Sequence, residues 1–247
     1  MSAVNIASVQ FHSRTLGRHV TYTAILPEPQ RHGDGPFPVL YQLHGASDDH
    51  TAWLVRSRLV DHVAGYPLIV ILPDGGLSGW RNAGPREKYE DFVTADLVPQ
   101  VAATLRVRPG RAAIGGLSMG GAGCIRLGLK HPGLFASIWA HSSGLANAER
   151  MRQRGIPETE IAADDPWGVA ERLLATLPRP SLPRLSLDCG VDDRLVEMNR
   201  AFHAHLEAIG FPHTYTEHPG AHTWEYWDLH VREALRQHAE VLGIRRK

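Results

Sequence analysis

One stretch constrains the fold of this chain more than any other: Ala112-Ala113-Ile114-Gly115-Gly116-Leu117-Ser118-Met119-Gly120-Gly121. Ala112 to Gly115 form the short apolar run expected of a buried strand, and Met119 to Lys130 can continue as a helix. Ser118 stands between them at the centre of Gly116-x-Ser118-x-Gly120. A strand that passes into a helix through one residue needs a strained turn. Side chains two positions either side would collide with the neighbouring strand or helix, and glycine removes those collisions. The hydroxyl then points out of the sheet, and the helix N-terminus beneath it faces any negative charge formed there. A Gly-rich turn before a packed helix has the same short pattern, so the flanking sequence has to decide.

That flanking sequence alternates strands with helices. Residues 4–12 and 19–26 read as two antiparallel strands around a turn at Gly17. Short apolar runs at 39–43, 68–72 and 135–140, and the segments 185–190 and 213–217, read as further strands. Helices are predicted over 51–63, 87–107, 119–130, 167–177, 196–209 and 224–242, with Pro99 kinking or dividing the second. The expectation is an α/β fold: a mostly parallel sheet of about eight strands, helices on both faces and an antiparallel N-terminal edge. Residues 145–166 are polar and break the rhythm, so a single domain over 1–247 with a small cap-like insertion there is expected.

Lys+Arg and Asp+Glu both number 26, and no basic stripe or acidic tail is present. Neither nucleic acid nor a membrane surface is an expected partner, and a homo-oligomer stays open. No apolar run is long enough to span a bilayer, and the first residues lack a charged segment followed by an apolar one. If the chain is whole, a cytoplasmic location is expected. Cys124 and Cys189 are expected to be buried thiols. The 15 histidines include no His-Glu-x-x-His, and His203-x-His205 would face different sides of a helix. Scattered surface histidine, with no metal, is the expectation.

Ligand-binding groups in such folds collect at the C-terminal ends of the strands. Three candidates lie there in the order Ser118, then Asp192 or Asp193, then His222, the chain order of α/β-hydrolases. An imidazole can take the serine proton near neutral pH, and a carboxylate fixes its tautomer. Two backbone N–H groups would hold the oxyanion: Met119, after the serine, and Ala46, in His44-Gly45-Ala46-Ser47 after the 39–43 strand. His44, Gly45, Trp53, Trp80 and Trp224 are the expected pocket contributors. One of the two aspartates can instead cap the helix that follows.

The chain resembles the esterase D/tributyrin esterase branch of the α/β-hydrolases, which includes S-formylglutathione hydrolases, feruloyl and acetyl-xylan esterases and mycolyltransferases. The blocks that carry the resemblance are Leu43-His44-Gly45-Ala46 with Trp53, Pro73-Asp74-Gly75, Glu90 to Pro99, Gly116 to Gly121, His131-Pro132, Phe135-Ala136-Ser137, Cys189-Gly190-x-x-Asp193-x-Leu195 and Gly220-Ala221-His222-x-Trp224. It selects Asp193 over Asp192, three residues after Gly190, supports Ala46 and Met119 as donors, and implies no organic cofactor. Asp96 matches a family position to which a structural role is assigned. Ala46-Ser47-Asp48-Asp49 replaces the longer, cysteine-containing loop of the S-formylglutathione hydrolases, which argues against that substrate. The expectation is a serine esterase acting on a small, short-acyl ester. The rivals are acyl transfer to an alcohol or sugar and non-catalytic binding of an acyl ligand.

Overall fold

In the computed structural model, which describes residues 4–153 and 155–247, eight strands form one sheet. They are β1 (Asn5–Ser13), β2 (Arg18–Leu26), β3 (Val39–Leu43), β4 (Ile69–Pro73), β5 (Ala112–Leu117), β6 (Phe135–His141), β7 (Arg184–Gly190) and β8 (His213–His218). Their order across the sheet is β1-β2-β4-β3-β5-β6-β7-β8. β2 is antiparallel to β1 and to β4, and every other pairing is parallel. This is the α/β-hydrolase architecture, with its antiparallel N-terminal edge.

The sheet is covered on both faces, and the strand sequences explain why. Every residue of β3 and of β4 is buried, which is why these strands read as unbroken apolar runs rather than alternating ones. Within them the faces alternate. Val39, Tyr41 and Leu43 join the core under the helices Met119–Lys130 and Val196–Ala208, while Leu40 joins the core under the C-terminal helix Trp224–Val241. After β3 the chain moves outward to β4, then crosses back to place β5 on the other side of β3. The loops leaving β3 and β5 therefore diverge, and the crevice between them is where such a sheet holds its ligand.

Two predicted helices are built differently from expectation. The 51–63 segment is two short helices, Ala52–Val55 and Leu59–Val63. Ser57 interrupts it: its hydroxyl donates to Trp53 O at 2.5 Å and accepts from the N–H of Leu59 at 3.2 Å, competing with the backbone ladder. The 87–107 segment runs from Tyr89 to Thr104 and contains a π-helical turn, Phe92–Leu97. Val98 N–H reaches back to Val93 O, so Pro99 enters the first turn of a new α segment, where its missing N–H breaks no ladder bond. Asp96 in the π turn accepts from Ser13 Oγ (2.6 Å), Thr15 N (2.9 Å) and Thr15 Oγ1 (2.8 Å), fastening the helix to the β1–β2 turn.

Residues 145–166 hold two short helices, Ala148–Gln153 and Glu158–Asp164, with Met151, Ile161 and Asp164 buried. Lys130 at the end of the Met119–Lys130 helix anchors them, bonding Asp164 at 2.9 Å and Glu90 at 2.5 Å. His131 also contacts Glu90, at 2.8 Å. Burial alone would raise the Glu90 pKa, but the hydrogen bonds and charge of His131 and Lys130 outweigh it and hold the carboxyl at about 2. A depressed carboxylate stabilises the fold fully above its ordinary value of 4.5, and that contribution fades as pH falls toward about 2. Glu90→Gln is therefore expected to lower the Tm at neutral pH by roughly 2–8 °C. It should also flatten the fall of Tm between about pH 4.5 and 2 relative to the parent; thermal melts across that range check both.

Candidate active site

Ser118 occupies the strand-to-helix turn with φ 54° and ψ −113°, a left-handed conformation that a non-glycine residue adopts only under constraint. The constraint is visible in its neighbours. A Cβ on Gly120 would lie 2.5 Å from His44 O and 2.6 Å from Leu43 O, and one on Gly116 would strike the carbonyl of Gly120. The turn is thus pressed onto the loop that leaves β3. Ser118 N–H donates to His141 O at 2.9 Å, and Gly144 N–H donates to Ser118 O at 2.9 Å, so the end of β6 grips it from the other side. Because the obstacles at position 120 are backbone atoms, Gly120→Ala is expected to cost about 1–3 kcal/mol of stability, read from urea unfolding.

The structure brings Ser118, Asp193 and His222 together. His222 Nε2 is 2.9 Å from Ser118 Oγ, and His222 Nδ1 is 2.8 Å from Asp193 Oδ2. A carboxylate only accepts, so Nδ1 carries the proton and Nε2 is left to accept from the serine. Asp193 is 2% exposed, while Ser118 and His222 remain partly open to solvent. Burial pushes the Asp193 pKa upward, yet it stays below the ordinary value because His222, the N–H of Leu195 (2.8 Å to Oδ1) and Ser142 all donate to it. Asp192, by contrast, is exposed. The acid and histidine loops are themselves joined: Val191 N–H bonds His218 O and Asp192 N–H bonds Gly220 O, both at 2.9 Å, and a Cβ on Gly190 would overlap Gly220 O.

Met119 opens its helix, so its N–H has no partner inside that helix and is free to point at the serine turn. Ala46 lies on the exposed rim of the β3 loop. Gly45 beside it approaches the serine so closely that a Cβ there would be 3.6 Å from Ser118 Cβ. Ala46 and Met119 thus follow the two backbone segments, Gly45 and Ser118, that meet at the serine.

Three expected pocket residues are instead supports for that loop. His44 is 1% exposed; its Nδ1–H donates to Gly45 O (2.7 Å) and its Nε2 accepts from Gly75 N–H (2.9 Å). Burial lowers its pKa, in keeping with a neutral ring. Trp53 donates to Leu43 O (3.1 Å) and Trp80 to His44 O (3.3 Å), both fully buried. A strand end carrying three carbonyls in different directions needs such donors, and they pull the large rings inward. Trp224 is half-buried, packed edge-on against Trp53 with Arg56 over its ring. The cleft above the serine, about 540 Å³, is lined instead by Met119, Ala122 and Arg126 of the serine helix, by the 78–81 loop and by parts of 144–166.

Several supporting residues carried no sequence signal beyond their place at a strand end or in a helix. Ser142, at φ 46°, receives the indole N–H of Trp227 (3.1 Å) while donating to Asp193. Asn199 bridges the two loops, accepting from Ser143 N–H (3.1 Å) and donating to Ser143 O (3.1 Å) and Leu195 O (2.8 Å). Below them His141 and Asp188, both wholly buried, meet at 2.6 Å, with Trp139 donating to the same carboxylate at 2.5 Å. The histidines thus correct the surface expectation: His44, His141, His230 and His238 are buried, and burial pushes His238 down to about 3. Both cysteines are free and buried.

Among the described residues, His218, His230 and Glu233 bring potential metal-binding atoms within 4.8 Å of one another. The two imidazoles are stacked, 4.1 Å between centroids and 17° between planes. Their in-plane lone pairs run side by side instead of converging on one point, so the arrangement fits packing better than coordination. No described helix is long and apolar enough to cross a membrane.

A family described as "Putative esterase" matches residues 13–238. An acetyl esterase of Caldicellulosiruptor saccharolyticus is 29% identical over 96% of this chain and 98% of its own length. The diacylglycerol acyltransferase/mycolyltransferase Ag85A of Mycobacterium tuberculosis is 27% identical over 85% of this chain and 75% of its own. Among solved structures, the substrate-bound fluorophosphonate-binding serine hydrolase F of Staphylococcus aureus superposes with a TM-score of 0.84 at 26% identity, covering 95% of this chain and 98% of that one. With a match across nearly its whole length, and the sheet of an α/β-hydrolase beneath it, the chain belongs to this esterase family.

Proposed function

We propose that the protein is a serine carboxylesterase that hydrolyses small esters with short acyl chains. The observation that carries the reading is the imidazole of His222 set between Ser118 at 2.9 Å and Asp193 at 2.8 Å. In the proposed reaction Ser118 Oγ attacks the ester carbonyl as its proton passes to His222 Nε2. The N–H groups of Ala46 and Met119 hold the oxyanion, His222 returns the proton to the departing alcohol, and water repeats the sequence on the acyl-enzyme. Residues 145–166, read as a small cap, would bound the acyl group. Resemblance to an acetyl esterase favours the short acyl range.

A 4-nitrophenyl ester series of increasing acyl length tests this. The reading requires a burst of one nitrophenolate per chain when deacylation is slow, and kcat/KM highest at the short end. Flat or absent turnover across the series would overturn it. The similarity to a mycolyltransferase keeps one rival in play. Adding an alcohol acceptor decides it: esterase behaviour leaves the free acid as the main product, while a transferase diverts most acyl groups to the new ester.

A further inference from the structure

The cleft over Ser118 is not the purely apolar channel that a simple aliphatic acyl chain calls for. Arg126 lies two turns further along the serine helix, about 12 Å on at 1.5 Å per residue. Helical side chains lean toward the N-terminus, so this one leans back toward Ser118. It lines the cleft while being only 7% exposed. Its guanidinium donates to Gly79 O, and its Nε–H is buried with no hydrogen-bond partner among the described residues.

The neighbouring charges do not supply the missing partner. Glu90 is engaged by Lys130 and His131, and Asp164 by Lys130. Burial lowers the Arg126 pKa; both carboxylates act on it through space and favour its charged form, while Arg81 opposes it with a like charge from the 78–81 side of the cleft. Glu87 is exposed at the rim. The cleft lining thus sets Arg81 and Arg126 beside Asp164, which Lys130 already engages, and the exposed Glu87. A guanidinium offers five donors in a fixed fork that matches a carboxylate, and leaving them unpaired in a buried site is costly.

The position also says which half of an ester belongs there. The leaving alcohol must stay within reach of the proton on His222, which meets Ser118 at 2.9 Å, whereas the cleft extends from Ser118 along the serine helix to Arg126. The group that occupies the cleft is the one that remains on the serine.

Resting on the esterase reading above, we infer that the preferred substrates are esters whose acyl chain ends in a carboxylate, which Arg126 binds. Arg126 is then a specificity residue, remote from the reacting atoms. The test compares 4-nitrophenyl monoesters of adipic and suberic acid with 4-nitrophenyl hexanoate and octanoate, which have the same chain lengths. The acid esters are expected to show kcat/KM higher by roughly 10- to 100-fold, mainly through KM, the range of one charge-assisted pairing. In Arg126→Met that ratio should fall to about one, and Arg126→Lys should retain part of it, since a point charge replaces the fork. Should R126M not fold, inhibition of the unaltered protein by adipate, measured against hexanamide, decides the same point, with adipate expected to bind more tightly. A parent ratio at or below one, an R126M ratio equal to the parent's, or hexanamide binding as well as adipate overturns the inference while leaving the esterase intact. No turnover of any ester overturns the esterase reading and this inference with it.

Discussion

Ser118→Ala is expected to lower kcat/KM for 4-nitrophenyl butyrate by about 10⁴- to 10⁶-fold while the protein stays folded. The size follows from what the hydroxyl does. Without it no acyl-enzyme forms, and only binding and the two flanking amides remain to favour attack by water. The folded state should tolerate the change, because the Ser118 backbone is held by His141 and Gly144 and, among the described residues, its side chain bonds His222 alone. The measurement is steady-state hydrolysis alongside a thermal melt. Activity within tenfold of the parent would remove the proposed nucleophile and with it the reaction scheme.

Asp193→Asn is expected to reduce kcat by roughly 10³- to 10⁴-fold, with a much smaller change in KM. Both carboxylate oxygens are committed, one to the N–H of Leu195 and the other to His222 Nδ1. An asparagine has one acceptor oxygen. With that oxygen kept on Leu195, its NH₂ faces Nδ1 and demands the unprotonated side of the ring, which moves the ring proton to Nε2. The imidazole then confronts Ser118 with a donor and has nothing with which to take the hydroxyl proton. Asp192→Asn is the matched control: the side chain is exposed, and kcat should stay within about twofold. Equal losses in the two variants would reject Asp193 as the acid.

The sequence made the centre of the sheet legible because strands β3, β4 and β6 are buried on both faces. Runs such as Val39 to Leu43 have no solvated face and so cannot be mistaken for loops. The serine turn was legible for a different reason, since backbone crowding around Gly116 and Gly120 admits no other residue. Asp193 needed the family resemblance, because either acid of Asp192-Asp193, just ahead of the Val196–Ala208 helix, reads equally well as a cap. The tryptophans misled: Trp53 and Trp80 sit beside the site in sequence, but unsatisfied carbonyls of the β3 loop draw their indoles inward. Arg126 was invisible because an arginine eight positions into a helix reads as a solvated face, and only the packing of 78–81 and 144–166 over it encloses it. Likewise no periodicity announces the π turn, where a local accommodation to Pro99 is combined with the anchoring of Asp96.

The contact between Gly190 and Gly220, sealed by the backbone bonds of Val191 and Asp192, has a mechanical consequence. The proposed acid and base, Asp193 and His222, stand on two loops joined backbone to backbone, so a shift of one loop is expected to carry the other with it. The segment 145–166 is mounted separately, by the bond of Lys130 to Asp164 and the burial of Leu145, Met151 and Ile161. Substitutions in that segment are therefore expected to reshape the cleft over Ser118 while leaving the spacing of Asp193 and His222 unchanged.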